Sequence, residues 1–543
     1  MTEMDNHGGL AHIVKRCLFG VFVLAWGVKA QQARVMTNSG EVIGNQTATL
    51  RTFFGIPYAS APVADLRWKP PRPPIPWTTP LQAISFGSEC TQQVLGLFAA
   101  PGETHGQVKG SENCLFLNVY APASSAPGRR LPVMVWIHGG SFTSGRGSIY
   151  DGSILAKKYG VVVVTFNYRL GALGFLALPA LSAEAADGSS GNYGLLDQQA
   201  ALRWVRDNIA QLGGDPGNVT LFGESAGGMS VCAQLASPAA AGLFQRAIIQ
   251  SGLCGSPHNN VLLADASRRN LAYADKLGCR KGDLTCLRRV DAKLLTSTPV
   301  PGRRPLSNLV WSPVYGAGIL PQTLPASFES GAFQHVPVMN GTTHDEGRLF
   351  ISLASPNGKP LQLYQYWGGV GLLVGAAKNR RVLTQYPFRR YGTPALAFAT
   401  VFTDAVFSCP AWSMDRAMSR YVPVYALEFN DPDAVTDLKT PPGLPSLGAH
   451  HSSELVYVFQ TPLVGMANPA RFSPEQRALS DQFSGAWAAF AKTGNPNISG
   501  QPRWQTFRAA QPEVQTFTPA GITSNLHFSD DHKCVLWSDL NLR

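Results

Sequence analysis

Gly223-Glu224-Ser225-Ala226-Gly227 sets a serine between two glycines at a spacing suited to nucleophilic attack. A serine hydroxyl is a weak nucleophile at neutral pH. It needs a general base, and the base needs an acid to orient it. Glycines on either side let two backbones pass close to a sharp turn that lifts the serine clear of a sheet. A second group, His138-Gly139-Gly140, ends an apolar run. The backbone N–H groups of Gly139 and Gly140, with that of Ala226, would aim three donors at one developing oxyanion. For a serine on such a turn, the acid follows in the chain and the histidine comes last. The histidines after Ser225 are His258, His335, His344, His450, His451, His527 and His532. Asp345 and Glu346 follow an apolar run, and His450 and His451 follow a Pro/Gly loop. Residue chemistry alone does not choose within either adjacent pair.

The elements that must hold these groups are legible as runs. Leu131–His138 and Val161–Tyr168 are continuously apolar, which predicts buried parallel strands. Val219–Phe222, Ala247–Gln250, Val336–Gly341 and Tyr425–Phe429 read the same way. Between them, Leu195, Leu196, Ala200, Leu202, Val205 and Ile209 recur at helical spacing, predicting a helix over 195–212. Strands alternating with helices predict an α/β fold with a large, mostly parallel sheet flanked by helices. Residues 31–60 read as short β segments, and Lys69–Trp77 as a proline-rich extended path. Ser473–Thr493 reads as an amphipathic helix with Phe483, Trp487 and Phe490 on one face. No linker divides the chain, so 31–543 is expected to be a single catalytic domain.

The first thirty residues read as an export signal. Lys15-Arg16 precede the apolar run Cys17–Val28, and Val28-Lys29-Ala30 offers small residues for cleavage. Twelve apolar residues fall short of the roughly 20 that span a bilayer. No later stretch reads as a membrane span, so a soluble secreted or periplasmic protein is expected. Hydrophobic residues at 45% and charged residues at 15% fit a globular chain and exclude a disordered one. The net charge of +11 is spread along the sequence, with no basic helix or aromatic stripe suited to nucleic acid. It permits an anionic substrate. No phosphate loop, dinucleotide fingerprint or zinc-type Cys/His spacing occurs, so no cofactor or metal is implied. Sequons begin at Asn45, Asn218, Asn340 and Asn497, two of them beside predicted strands.

Ordered motifs then identify relatives. They include Phe54-Gly55-Ile56-Pro57-Tyr58-Ala59, Ser111–Val119, His138-Gly139-Gly140, Asn167-Tyr168-Arg169-Leu170, Gly191–Gln198, Gly213-Gly214-Asp215-Pro216 and the serine turn. From about Val35 to Trp537 the chain resembles the type-B carboxylesterases, the family of cholinesterases, fungal-type lipases and bacterial carboxylesterases. The resemblance implies an α/β-hydrolase fold and a catalytic set of Ser225, Glu346 and His451, with Gly139, Gly140 and Ala226 as the oxyanion hole. Its histidine stands three residues before a glutamate, here Glu454, which selects His451 over His450. Glu224 and Ser251 match supporting polar residues, and Arg67 with Glu112 and Arg169 with Asp197 match structural ion pairs. The resemblance also implies disulfides Cys90–Cys114, Cys279–Cys286 and Cys409–Cys534, leaving Cys232 and Cys254 free and buried.

Two departures matter. Val314-Tyr315-Gly316 stands where the family often has Val-Asp-Gly. No tryptophan lies between Cys90 and Cys114, so the cation–π contact by which cholinesterases hold choline is missing. Val94–Phe98 in that interval is a candidate flap. The expected function is hydrolysis of a small-molecule carboxylic ester through an acyl-enzyme, and the positive charge admits esters bearing carboxylates. The rival readings are an interfacial lipase and a non-catalytic binding protein on the same fold.

Overall fold

In the computed structural model, which describes residues 31–95, 102–125, 127–256, 259–301, 309–354 and 359–540, an antiparallel meander opens the sheet. It comprises β1 (Gln31–Thr37), β2 (Gly40–Gln46), β3 (Leu50–Pro57) and β4 (Phe116–Pro122). The apolar runs follow as β5 (Leu131–Ile137), β6 (Val162–Phe166), β7 (Gly214–Glu224) and β8 (Arg246–Gln250). Then come β9 (Val338–Thr343), β10 (Val424–Phe429), β11 (Val514–Thr518) and β12 (Gly521–Asn525). They lie in one 13-stranded sheet in the order β1-β2-β3-β4-β6-β5-β7-β8-β9-β10-β11-β12, with the short strand Leu81–Gln82 beside β2. From β6 to β11 neighbours run parallel. Leu221 in β7 pairs with Val135 in β5 and Ala247 in β8, so the serine turn leaves the middle of the sheet. All of Val162–Phe166 is buried, because helices cover both faces of a parallel sheet.

Helices flank the sheet. Helix α1 (Tyr193–Asn208) runs into a 3₁₀ turn, Ile209–Leu212, and stops at Gly213, whose φ of 85° few other residues tolerate. Helix α2 (Ala226–Ala236) is buried along its whole length. Helix α3 (Glu346–Ala354) leaves the end of β9. Helix α4 (Pro394–Phe402) is capped by Thr393, whose Oγ1 accepts from Leu396 N at 3.1 Å. It continues through a π-helical turn, Thr403–Ser408, into α5 (Cys409–Met418). Helix α6 (Pro474–Thr493) starts with a Ser473/Gln476 capping box, and Phe483, Trp487 and Phe490 are all buried. Helix α7 (Cys534–Leu540) follows near the end.

Pro394–Met418 corrects one expectation. As a continuous helix it is long and apolar enough to cross a membrane by composition, but 89% of its most apolar window lies inside the protein. Thr403, Asp404 and Ser408 break the run in the sequence, which is why it did not read as one apolar stretch. The N-terminal stretch 1–30 lies outside the described residues, as do Gly96–Phe98 of the flap candidate. Val94 is buried, its N–H donating to Gln107 O at 2.8 Å. Asn340 of the third sequon is buried in β9, with its amide donating to Asp415 Oδ1 at 2.8 Å.

Four disulfides occur among the described residues: Cys90–Cys114, Cys232–Cys254, Cys279–Cys286 and Cys409–Cys534. Cys232 and Cys254 are therefore joined, where two free thiols were expected. Their pairing depends on packing: Gly228 in α2 comes close to Gln250 O and Gly252, which brings α2 alongside the chain that leaves β8. Spacing along the sequence holds no sign of that approach. The ion pairs Arg67–Glu112 (2.6 Å) and Arg169–Asp197 (2.7 Å) are both largely buried.

Candidate active site

The turn after β7 works by close backbone approach. A side chain at Gly227 would sit 2.0 Å from Ile137 O, and one at Gly223 would sit 2.6 Å from Gly227 C. Glycine at both positions lets α2 start directly against β5. Ser225 pivots between strand and helix with φ 57° and ψ −121°, a strained conformation of the kind stored at reactive sites. Its N–H donates to Gln250 O and its carbonyl accepts from Met229 N, both at 2.9 Å. The N–H of Ala226, first in α2, is among those a helix leaves without an intrahelical partner.

The glycine loop after β5 lies against this turn. A Cβ on Gly139 would be 3.1 Å from Ser225 Cβ and 2.9 Å from Glu224 O. Gly140, Ser141 and Phe142 all take positive φ, so the loop curls tightly past the serine. Beneath it, the His138 ring stacks on Tyr168 at 4.4 Å, and Tyr168 Oη donates to His138 O at 2.9 Å. Burial pulls the His138 imidazole down to about 4, so it supports the loop as a neutral ring. The geometry brings Gly139 close to Ser225, whose next residue is Ala226.

Acid and histidine arrive from two other strand ends. Glu346 opens α3 after β9, is fully buried, and accepts from Thr343 N at 3.0 Å. Its Oε2 lies 2.5 Å from His451 Nδ1. The neighbouring Asp345 turns instead to Arg348 at 2.8 Å and to Ala449 N at 3.2 Å. His450 is buried with Nδ1 on His451 O at 2.9 Å, and burial holds it at about 4. Of each adjacent pair, the structure brings together Glu346 and His451. His335, His344, His527 and His532 lie elsewhere, and His258 lies outside the described residues.

His451 Nε2 faces the corner of the serine turn, 3.1 Å from Glu224 Oε1. Ser452 Oγ donates to that same oxygen at 2.5 Å. Burial pulls the His451 imidazole down, but Glu224, Glu346 and Glu454 outweigh it and raise it to about 9. Burial likewise raises Glu224, and it raises Glu454 to about 8 with help from Glu224 and Glu346. His451, Glu224 and Glu454 therefore titrate as one cluster. Glu454 Oε1 accepts from Gln250 Nε2 at 2.9 Å, and Gln250 Oε1 accepts from Trp487 Nε1 at 3.0 Å. Ser251 is buried at φ 48°, and its hydroxyl has no hydrogen-bond partner among the described residues. Phe350 and Phe407 flank the His451 ring, each with centroids 5.0 Å away.

A family model described as "Carboxylesterase family" matches residues 31–537.
The chain belongs to the carboxylesterase family.
Para-nitrobenzyl esterase of Bacillus subtilis (strain 168) is 38% identical over 85% of this chain and 90% of its own length. Fumonisin B1 esterase of Sphingopyxis macrogoltabida is 35% identical over 92% of this chain and 89% of its own. A solved PNB esterase superposes with a TM-score of 0.77 at 35% identity, covering 93% of this chain and all of that one. This carboxylesterase has the α/β-hydrolase fold and is a carboxylic-ester hydrolase. In the sequence Glu454 is only a landmark for His451, and nothing there places Gln250, Ser452, Phe350 or Phe407 at the site. The His451–Glu454 spacing was the available signal for Glu454. The two phenylalanines carry no signal, because an apolar residue looks the same beside an imidazole as in a core.

Proposed function

We propose that this carboxylesterase hydrolyses small-molecule esters through an acyl-enzyme on Ser225. His451 Nε2 takes the proton as Ser225 Oγ attacks the ester carbon. Glu346 holds the opposite ring nitrogen and stabilises the imidazolium that forms. The N–H groups of Gly139, Gly140 and Ala226 receive the oxyanion, each donor contributing about 3–4 kcal/mol in the transition state. The alcohol leaves with the proton from His451. Water, deprotonated by the same imidazole, then frees the acid and restores the serine. The observation that carries this reading is the 2.5 Å contact of Glu346 with His451, whose other nitrogen faces the Ser225 turn. Glu224 and Ser251 are supporting residues.

The export signal read at 1–30 and the four disulfides support a secreted or periplasmic site of action. The net charge of +11 admits substrates that carry carboxylates. Ser225→Ala should lower p-nitrophenyl acetate hydrolysis at least about 10³-fold with an unchanged melting temperature. His451→Ala should do the same, whereas His450→Ala should keep most activity. Full turnover by a folded Ser225→Ala variant would remove the nucleophile from the reading.

A further inference from the structure

Asp404, Glu428 and His532 form a second buried acid–histidine–acid group outside the proposed catalytic set. His532 Nδ1 lies 2.6 Å from Asp404 Oδ1, and His532 Nε2 lies 2.9 Å from Glu428 Oε1. Carboxylates at 2.6 and 2.9 Å from its two nitrogens favour the imidazolium, in which both nitrogens donate. Asp404 Oδ2 also accepts from Tyr386 Oη at 2.7 Å, and Tyr386 Oη accepts from Trp537 Nε1 at 2.8 Å. Among the described residues, the other charged or titratable groups near the cluster include His344, with its ring 5.9 Å from His532, Lys533, over the Tyr386 ring at 4.6 Å, and Tyr391, stacked on Tyr386 at 6.1 Å, while Arg390, Asp530 and Asp531 line the same cavity as His532. Burial opposes the charge on His532, but Asp404 and Glu428 outweigh it and hold the group up at about 10. The ring is thus a fixed cation across the neutral range.

Asp404 belongs to the π-helical turn Thr403–Ser408, and the same turn touches the catalytic groups twice. Thr403 Oγ1 accepts from Gly347 N at 2.9 Å, the residue next to Glu346. The Phe407 ring packs on His451 with centroids 5.0 Å apart and on Phe350 at 5.7 Å. A π turn accommodates one residue more than an α turn, so it rotates later side chains by about 100° relative to an unbroken helix. Such a turn is disfavoured by itself and needs side-chain anchors. Those anchors are Asp404 on the cluster side and Thr403 on the Glu346 side.

We propose that Asp404 and His532 are positioning residues for His451, acting through the π-helical turn and the Phe407 ring. This rests on the reading of His451 as the general base. The His532 cation fixes Asp404, Asp404 fixes the turn, and the turn sets where Phe407 presses on the imidazole. His532 touches neither substrate nor reacting atoms.

The test is a double-mutant cycle on the full chain with p-nitrophenyl acetate, reading kcat, KM and melting temperature. His532→Gln should lower kcat about 10- to 100-fold with KM within about twofold, because a misplaced base costs rate rather than ground-state binding. Phe407→Ala should lower kcat as well. Adding His532→Gln to Phe407→Ala should lower kcat no further, since both changes break one chain of contacts. A purely structural His532 would lower the melting temperature but leave kcat intact, or would lower kcat by the same factor in both backgrounds. Either result overturns the proposal. If His532→Gln does not fold, Glu428→Gln keeps the Asp404 contact and should still lower kcat at least about threefold. Unchanged kcat in that variant also overturns it. Ser225→Ala and His451→Ala separate the two readings. If both retain turnover, the base assignment has failed; if both are inactive and His532→Gln runs at full rate, the positioning alone has failed.

Discussion

His451 stands between Glu346 and Glu224, and a general base must be neutral to accept a proton. Glu224, Glu346 and the nearby Glu454 raise the imidazole to about 9 against the pull of burial. The acid limb of kcat/KM, which reports the free-enzyme base, should therefore lie above the ordinary imidazole value of about 6.5. Glu224→Gln removes one of the charges that favour the imidazolium. The neutral form then persists to lower pH, and the limb should move down by at least about one pH unit. A pH profile of kcat/KM for wild type and variant checks this; an unmoved limb would show that Glu224 does not set the charge of the ring. At this scale the sequence was only partly legible. Chemistry could not separate Asp345 from Glu346, because both are carboxylates after one strand. The family pattern selected Glu346, and the structure shows the physical difference: Asp345 is occupied by Arg348 and Ala449 N, whereas Glu346 points inward to His451.

The serine turn is an element-scale device, and its glycines could be read because close approach leaves no other residue type. Gly227→Ala puts a methyl group 2.0 Å from Ile137 O, a backbone atom of a central strand that cannot rotate aside. The variant should lose about 3 kcal/mol or more in urea unfolding and most of its activity. Near-wild-type stability would mean that β5 and α2 are not as tightly apposed as described. The strands were legible for a related reason: burial on both faces demands continuous apolar runs, and the observed boundaries fall close to them. The longest discrepancy is β7, which spans Gly214–Glu224 where Val219–Phe222 was expected. Its early part, Gly214–Asn218, is polar and glycine-rich, and a register shift against β5 falls between Gly214 and Val219. The π-helical turn had no sequence signal. Thr403 and Asp404 only interrupt an apolar run, and their partners at Gly347 and His532 explain them.

For the whole molecule, the disulfides differ in how much chain they constrain. Cys409–Cys534 joins residues 125 apart, while Cys279–Cys286 joins residues only 7 apart. In the chain-entropy model the first stabilises by about 5 kcal/mol and the second by about 2–3. Replacing Cys409 and Cys534 with serine should therefore lower the urea midpoint more than replacing Cys279 and Cys286. The reverse order would place the main contribution in local strain rather than in the unfolded chain. The Cys232–Cys254 pair shows where sequence reading stops at this scale. Nothing in a separation of 22 residues reveals that α2 and the chain after β8 meet.

The central claim is that the acyl group passes through Ser225, and peptide mass spectrometry of protein quenched early in turnover of p-nitrophenyl acetate tests it most directly. The account predicts an acetyl group on the peptide containing Ser225, formed in a burst close to one per active site. Steady turnover with no acetylated Ser225, or with the acetyl group on another residue, would contradict it.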